Sequence, residues 1–170
     1  LQGWFTPSAV EALREPVIEL TNDLVDKILA GGGTFDAHDD FAFPLPVFII
    51  ARLLGVPDTD LDQFKYWSDI QVAAMGSADP TKFLEEQQAF LEYMRSQLLS
   101  RREQISVGDN YPDDLLSILA GARDENGDFA GESDALSVLN QLLVGGNETT
   151  TSLITNLLWR LLERPERWQR

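Results

Sequence analysis

Glu148 and Thr149 place a carboxylate next to an alcohol, a pairing that relays protons when a reacting group comes within hydrogen-bond reach. Gly145 and Gly146 stand just before them, and Thr150 and Thr151 just after, inside the Leu-rich stretch LLVGGNETTTSLITNLLWRLLERPE. Relative to alanine, two glycines and three threonines weaken a helix by roughly 4 kcal/mol in total. A local rule broken inside an otherwise consistent pattern marks a functional or strained site. Two arrangements are open. In one, GGNE is a loop between two shorter helices, with Thr149 or Thr150 as N-cap of the second. In the other the helix continues: Leu142, Gly145, Thr149 and Ser152 share a face, and the missing side chains at Gly145 and Gly146 leave a groove. A flat ligand could approach the backbone there, with Glu148 and Thr149 beside it and a loosened peptide carbonyl free to recruit water.

Other chemistry-bearing groups have plainer explanations. DAHDD gathers Asp36, His38, Asp39 and Asp40, but a single His lacks the paired spacing of zinc sites, so it reads as a solvated acidic loop and no metal is assigned. DENGDFAGE departs from a calcium loop because Phe129 stands where that loop needs Gly. The sequon at Asn147 lies within an apolar helical pattern and reads as fortuitous. Phe and Trp at helical spacing read as core.

The elements that must position Glu148 and Thr149 are helical. With 170 residues, 44% of them hydrophobic, the chain can build one globular core, and we read residues 1–170 as a single partial domain. A net charge of -15 argues against nucleic acid and anionic membrane partners, whose binding needs clustered Lys and Arg. There is no Cys, hence no disulfide or thiolate, which is compatible with a reducing cytosol. No apolar run approaches the length of a membrane span or a signal peptide. Periodicity and turn signals predict helices near 8–30, interrupted by Pro16, then 43–54, 59–74, 81–103, 113–121 and 133–164. A short strand is expected around Thr34 to Asp36, and Asn126-Gly127 suits a hairpin-like turn with positive φ at both residues. The last helix would span roughly 48 Å. A compact globule of this size is only about 40 Å across. Its leucines leave it apolar nearly all round, as in a helix through the centre of something larger. Leu1 is not an initiator Met, and Pro165 opens a new helical start, so the expectation is an internal piece of a longer chain.

These residues resemble a known family. Gly145, Gly146, Asn147, Glu148 and Thr149, followed by Pro165 and Glu166, look like the oxygen-activating central helix of the cytochrome P450 superfamily, whose pattern is Ala or Gly, Gly, any residue, Asp or Glu, Thr. WFTPSAVEALREP and DDFAFPLPVFIIARLLGVPDTDLDQFKYWSD resemble earlier segments of the bacterial soluble members, in family order. The resemblance implies a mainly α fold built around one long helix, with at most a short β hairpin. It implies a haem-dependent monooxygenase that inserts one atom of O2 into a small organic substrate. Electrons would come from NAD(P)H through a ferredoxin-type partner, and the likeness to the bacterial members implies a soluble, cytoplasmic enzyme.

By the same resemblance, Thr149 steadies the proton that arrives at the oxygen undergoing activation, and Glu148 exchanges protons with solvent. Gly145 and Gly146 face the cofactor. Leu142, Leu143 and Val144 line the substrate pocket, and Gln71, Val72 and Met75 overhang it from an access lid. The family holds its iron through a Cys thiolate, which this sequence lacks, so the chain alone is expected to be inactive. Both Glu-x-x-Arg matches, Glu11 to Arg14 and Glu92 to Arg95, precede the central helix, whereas the family's follows it; they read as chance. One alternative is a non-catalytic helical interaction module with a Gly-Gly hinge. Another, a terpene-synthase-like enzyme, needs an acidic residue where Thr155 stands.

Overall fold

The computed structural model describes residues 6–164, 166 and 167. Pro165, the expected helical restart, and the residues before Thr6 lie outside that range. Seven α-helices run in chain order: α1 (Pro7–Ala12), α2 (Arg14–Ala30), α3 (Pro44–Leu53), α4 (Leu61–Gly76), α5 (Leu84–Val107), α6 (Leu115–Gly121) and α7 (Glu132–Leu162). A π-helical turn, Ala37–Ala42, precedes α3, and short 3-10 turns precede α4 and α5. The core joins α3, α4, α5, α6 and α7 around Val47, Leu54, Phe64, Phe90, Met94, Leu98, Leu116, Leu139 and Leu143.

The helix ends follow from local chemistry. Thr6 accepts the Ala9 N–H ahead of Pro7 in the first turn. Gly32 and Gly33 adopt φ of 97° and 78° past the end of α2, where side chains with a Cβ are disfavoured. The expected break in the first helix falls at Leu13, just ahead of Pro16. Pro16 has no N–H for the Ala12 carbonyl, so the ladder is interrupted one turn upstream.

The strand expected around Thr34 to Asp36 is absent, because these residues have no partner strand among the described residues and their polar groups serve the next turn instead. The Asp36 carboxylate accepts the N–H groups of His38 and Asp39 at 2.8 and 3.0 Å, and those two bonds hold its pKa below the usual carboxylate value. The Asn126-Gly127 turn also differs from expectation. Only Gly127 has positive φ, at 86°, because the Asp124 carboxylate accepts the N–H groups of Asn126 and Asp128 and closes the turn itself. A single bridge, Arg123 to Phe129, is all that pairs there.

A buried polar cluster locks α5 to α6. Arg101 on α5 donates to Asp114 at 2.7 Å, with both side chains under 10% exposed. Asp114 also caps α6 by accepting the Ser117 N–H at 2.7 Å. Its other oxygen has no hydrogen-bond partner and lies against Gly55, where a Cβ would come within 2.0 Å of it. Gly55 therefore serves twice, with φ of 71° ending α3 and with no side chain beneath a buried carboxylate. Of the Glu-x-x-Arg matches, Glu11 and Arg14 form an exposed ion pair, and Arg95 reaches Glu132 instead of Glu92.

Candidate functional site on the long helix

α7 runs unbroken through Gly145 and Gly146 for 31 residues, so the loop arrangement is overturned. Burial of the apolar stripe compensates the weak local propensity, since tertiary packing supplies most of a protein helix's stability. Ala135, Leu139, Leu143, Asn147 and Thr151 recur every four residues as the buried side. Gly145, Glu148, Thr149 and Ser152 stand on the exposed side, with Leu142, Val144 and Gly146 half-buried between.

The two glycines do different things. A Cβ at Gly145 would meet nothing within 4 Å, so this position is open to an approaching group. A Cβ at Gly146 would come within 2.9 Å of the Ile50 side chain on α3. The groove expected over both positions is thus open at Gly145 and filled by α3 at Gly146, where glycine permits close helix packing instead.

Thr149 donates its hydroxyl proton to the Gly145 carbonyl at 2.9 Å. With the proton committed there, the lone pairs of the Thr149 oxygen stay available on the exposed side. Glu148 is exposed and is not a buried ion-pair partner. The lid residues divide in the same way. Val72 is half-buried and Met75 is 70% exposed, whereas Gln71 turns inward and accepts an amide proton from Gln87 on α5 at 3.1 Å. Leu143 is fully buried in the core and does not reach the open face. A hollow of about 520 Å³ lined by Leu20, Asp23, Lys27, Phe48, Arg52 and Asp62 lies away from all of these residues.

Sequence reasoning missed Ser68, and it set aside Asn147 as a fortuitous sequon. Asn147 is wholly buried and donates to the Ser68 hydroxyl on α4 at 2.9 Å. Its oxygen accepts the Thr151 hydroxyl at 3.0 Å. The available signal was the four-residue spacing, which continues the stripe from Leu139 and Leu143 onto Asn147 and Thr151.

No protein-family model matches the chain. Cytochrome P450 CYP107DY1 of Priestia megaterium is 35% identical over 164 residues, which cover 95% of this chain and 38% of that protein. Cytochrome P450 107B1 of Saccharopolyspora erythraea is 36% identical over 162 residues, 95% of this chain and 37% of the relative. The crystal structure of substrate-free CYP109E1 from Bacillus megaterium superimposes with a TM-score of 0.78 at 31% identity, covering 98% of this chain and 43% of that one. The chain therefore spans about two-fifths of the length of the proteins it matches. With sequence and backbone agreeing along nearly all of this chain, it belongs to the cytochrome P450 superfamily, among the bacterial members.

Proposed function

We propose that the chain forms the distal wall of a haem-dependent monooxygenase, with Thr149 and Glu148 handling protons and Gly145 admitting a flat group to the helix backbone. The observation that carries this reading is the open space over Gly145, one turn from a threonine hydroxyl bonded to its carbonyl at 2.9 Å. The fit to haem is one-sided. A planar group can lie against α7 because no side chain rises at Gly145, while the chain contains no Cys to serve as a thiolate ligand. When bound, the haem supplies O2 activation and transfer of one oxygen atom to a small organic substrate.

The chain's residues do the rest. Thr149 accepts a hydrogen bond on its exposed side and holds the donor in place. Glu148, exposed beside it, takes protons from solvent and passes them on. Leu142, Val144, Val72 and Met75 offer the apolar surface that orients a substrate and excludes water. Gly146 brings α3 close enough to support the turn. The same reading has electrons arriving from NAD(P)H through a ferredoxin-type partner, in the cytoplasm. The alternatives, an interaction module or a terpene-synthase-like enzyme, draw no support from the relatives.

The test uses a full-length chain. Thr149→Ala is expected to keep substrate binding and reductant consumption while diverting oxygen to peroxide. Glu148→Gln is expected to slow turnover by roughly 100-fold. If Thr149→Ala stays as well coupled as the parent at equal folded concentration, the proton-handling role is wrong. For the chain alone, the reduced, carbon monoxide-treated sample is expected to lack the red-shifted Soret band of a haem-thiolate site. Seeing that band would contradict the assignment of the ligand to another part of the protein.

A further inference from the structure

One polar chain crosses the apolar core and ties three elements together. Asn147 on α7 donates to Ser68 on α4 at 2.9 Å, across 79 residues of sequence. Thr151, one turn on, shares its hydroxyl between the Asn147 oxygen at 3.0 Å and the Ala42 carbonyl at 3.3 Å. Ser68, Asn147 and Thr151 are each no more than 2% exposed. All of these bonds lie on the side of α7 away from Gly145 and Thr149.

The composition of α7 makes such a device necessary. Leucine occupies nearly every side of the helix, including the exposed Leu153, Leu157 and Leu162. Apolar burial is non-directional, so a helix of this kind gains comparable burial at several rotations about its axis. A slip of one residue turns it by about 100°, which would carry Glu148 toward the core. An amide does not tolerate that rotation. Turned away from Ser68, the Asn147 nitrogen loses its acceptor, and a buried polar group without a partner is costly. Single buried asparagines set register between packed helices for this reason.

We infer that Asn147 is a positioning residue: held by Ser68 on one side and Thr151 on the other, it fixes the rotation of α7 and keeps Gly145 and Thr149 on the open face. The catalytic consequence rests on the role proposed for Thr149, whereas the fixed rotation does not.

The experiment uses the full-length, haem-loaded protein and two readouts, amide hydrogen exchange at residues 145–149 and the peroxide released per reductant consumed. Ser68→Ala is expected to raise exchange at 145–149 by roughly tenfold, with residues 115–121 of α6 unchanged. It should also raise the peroxide fraction about threefold with KM unaltered. Ser68→Thr should restore both readouts, and Asn147→Ala should change both less in the Ser68→Ala background than in the parent, because one of its two anchors is already gone. If Asn147→Ala does not fold, the two Ser68 variants decide the question by themselves. Exchange at 145–149 equal to the parent, an equal rise in α6, or failure of the threonine variant to restore would each overturn the inference. If Thr149→Ala proves fully coupled, the functional reading fails alone, and the exchange data still decide whether Asn147 positions the helix.

Discussion

The hydroxyl of Thr151 donates to the carbonyl of Ala42 at 3.3 Å, joining positions 109 residues apart. Ala42 is fully buried at the end of the π-helical turn, where the last carbonyls of a helical segment lack partners. The residue that would reach this carbonyl in α register is Pro46, which has no N–H. Thr151 thus supplies what the Pro-Leu-Pro sequence removes. Thr151→Val keeps the shape but leaves the Ala42 oxygen and one acceptor on Asn147 unpaired. It is expected to destabilise the folded chain by about 2 kcal/mol, read as a lower denaturant midpoint at unchanged m-value, with Thr151→Ser close to the parent.

The glycines of α7 should separate under substitution. Gly145→Ala meets open space and gains helix propensity, so it is expected to stabilise by up to about 1 kcal/mol while narrowing the open face. Gly146→Ala brings a Cβ within 2.9 Å of Ile50, which cancels part or all of that gain. Shortening the neighbour with Ile50→Val should recover it. Thermal midpoints of the single and double variants measure the difference, and equal midpoints for the two alanine variants would contradict it.

The Asp114 carboxylate should prove costly to disturb. Removing it with Asp114→Ala strands the Arg101 guanidinium, which is expected to cost about 3–5 kcal/mol. Gly55→Ala acts on the same group from below, since its Cβ would displace the carboxylate and it must also hold φ of 71°. Denaturant unfolding of the single and double variants should show the two changes to be strongly non-additive, because both act through one carboxylate.

Tyr93 should give the chain an alkaline limit. Burial raises its pKa above the ordinary 10.0, and the hydrogen bond it donates to Asp60 at 2.8 Å and the Asp60 charge raise it further. A group whose folded pKa is raised binds its proton more tightly in the folded state. The stability it contributes is therefore fully present below the unfolded pKa and is lost as pH climbs through the folded one. Unfolding free energy is expected to fall as pH rises above about 10, and Tyr93→Phe should flatten that slope. An unchanged slope in the variant would place the alkaline sensitivity elsewhere.

The sequence by itself determined the helices and their order, and it singled out residues 145–151 as the candidate site. Those depend on local physics: periodicity in α4 and α7, proline and glycine at helix ends, Thr6 as a cap, and the clash between helix-breaking residues and leucine at 145–151. It could not decide whether α7 breaks at its glycines, because local propensity opposes the helix there and only packing against α3 and α4 overrides it. Nor could it separate Gly145 from Gly146, adjacent residues of identical chemistry, until Ile50 lay against one and not the other. Leu143 and Gln71, read as pocket residues by the family resemblance, are buried here while their neighbours are not, because one residue along a helix is a rotation of about 100°. The partners of Asn147 and Thr151 stand 79 and 109 residues away, and a hydrogen bond across that distance is specified by the folded arrangement of three elements, which no local pattern carries.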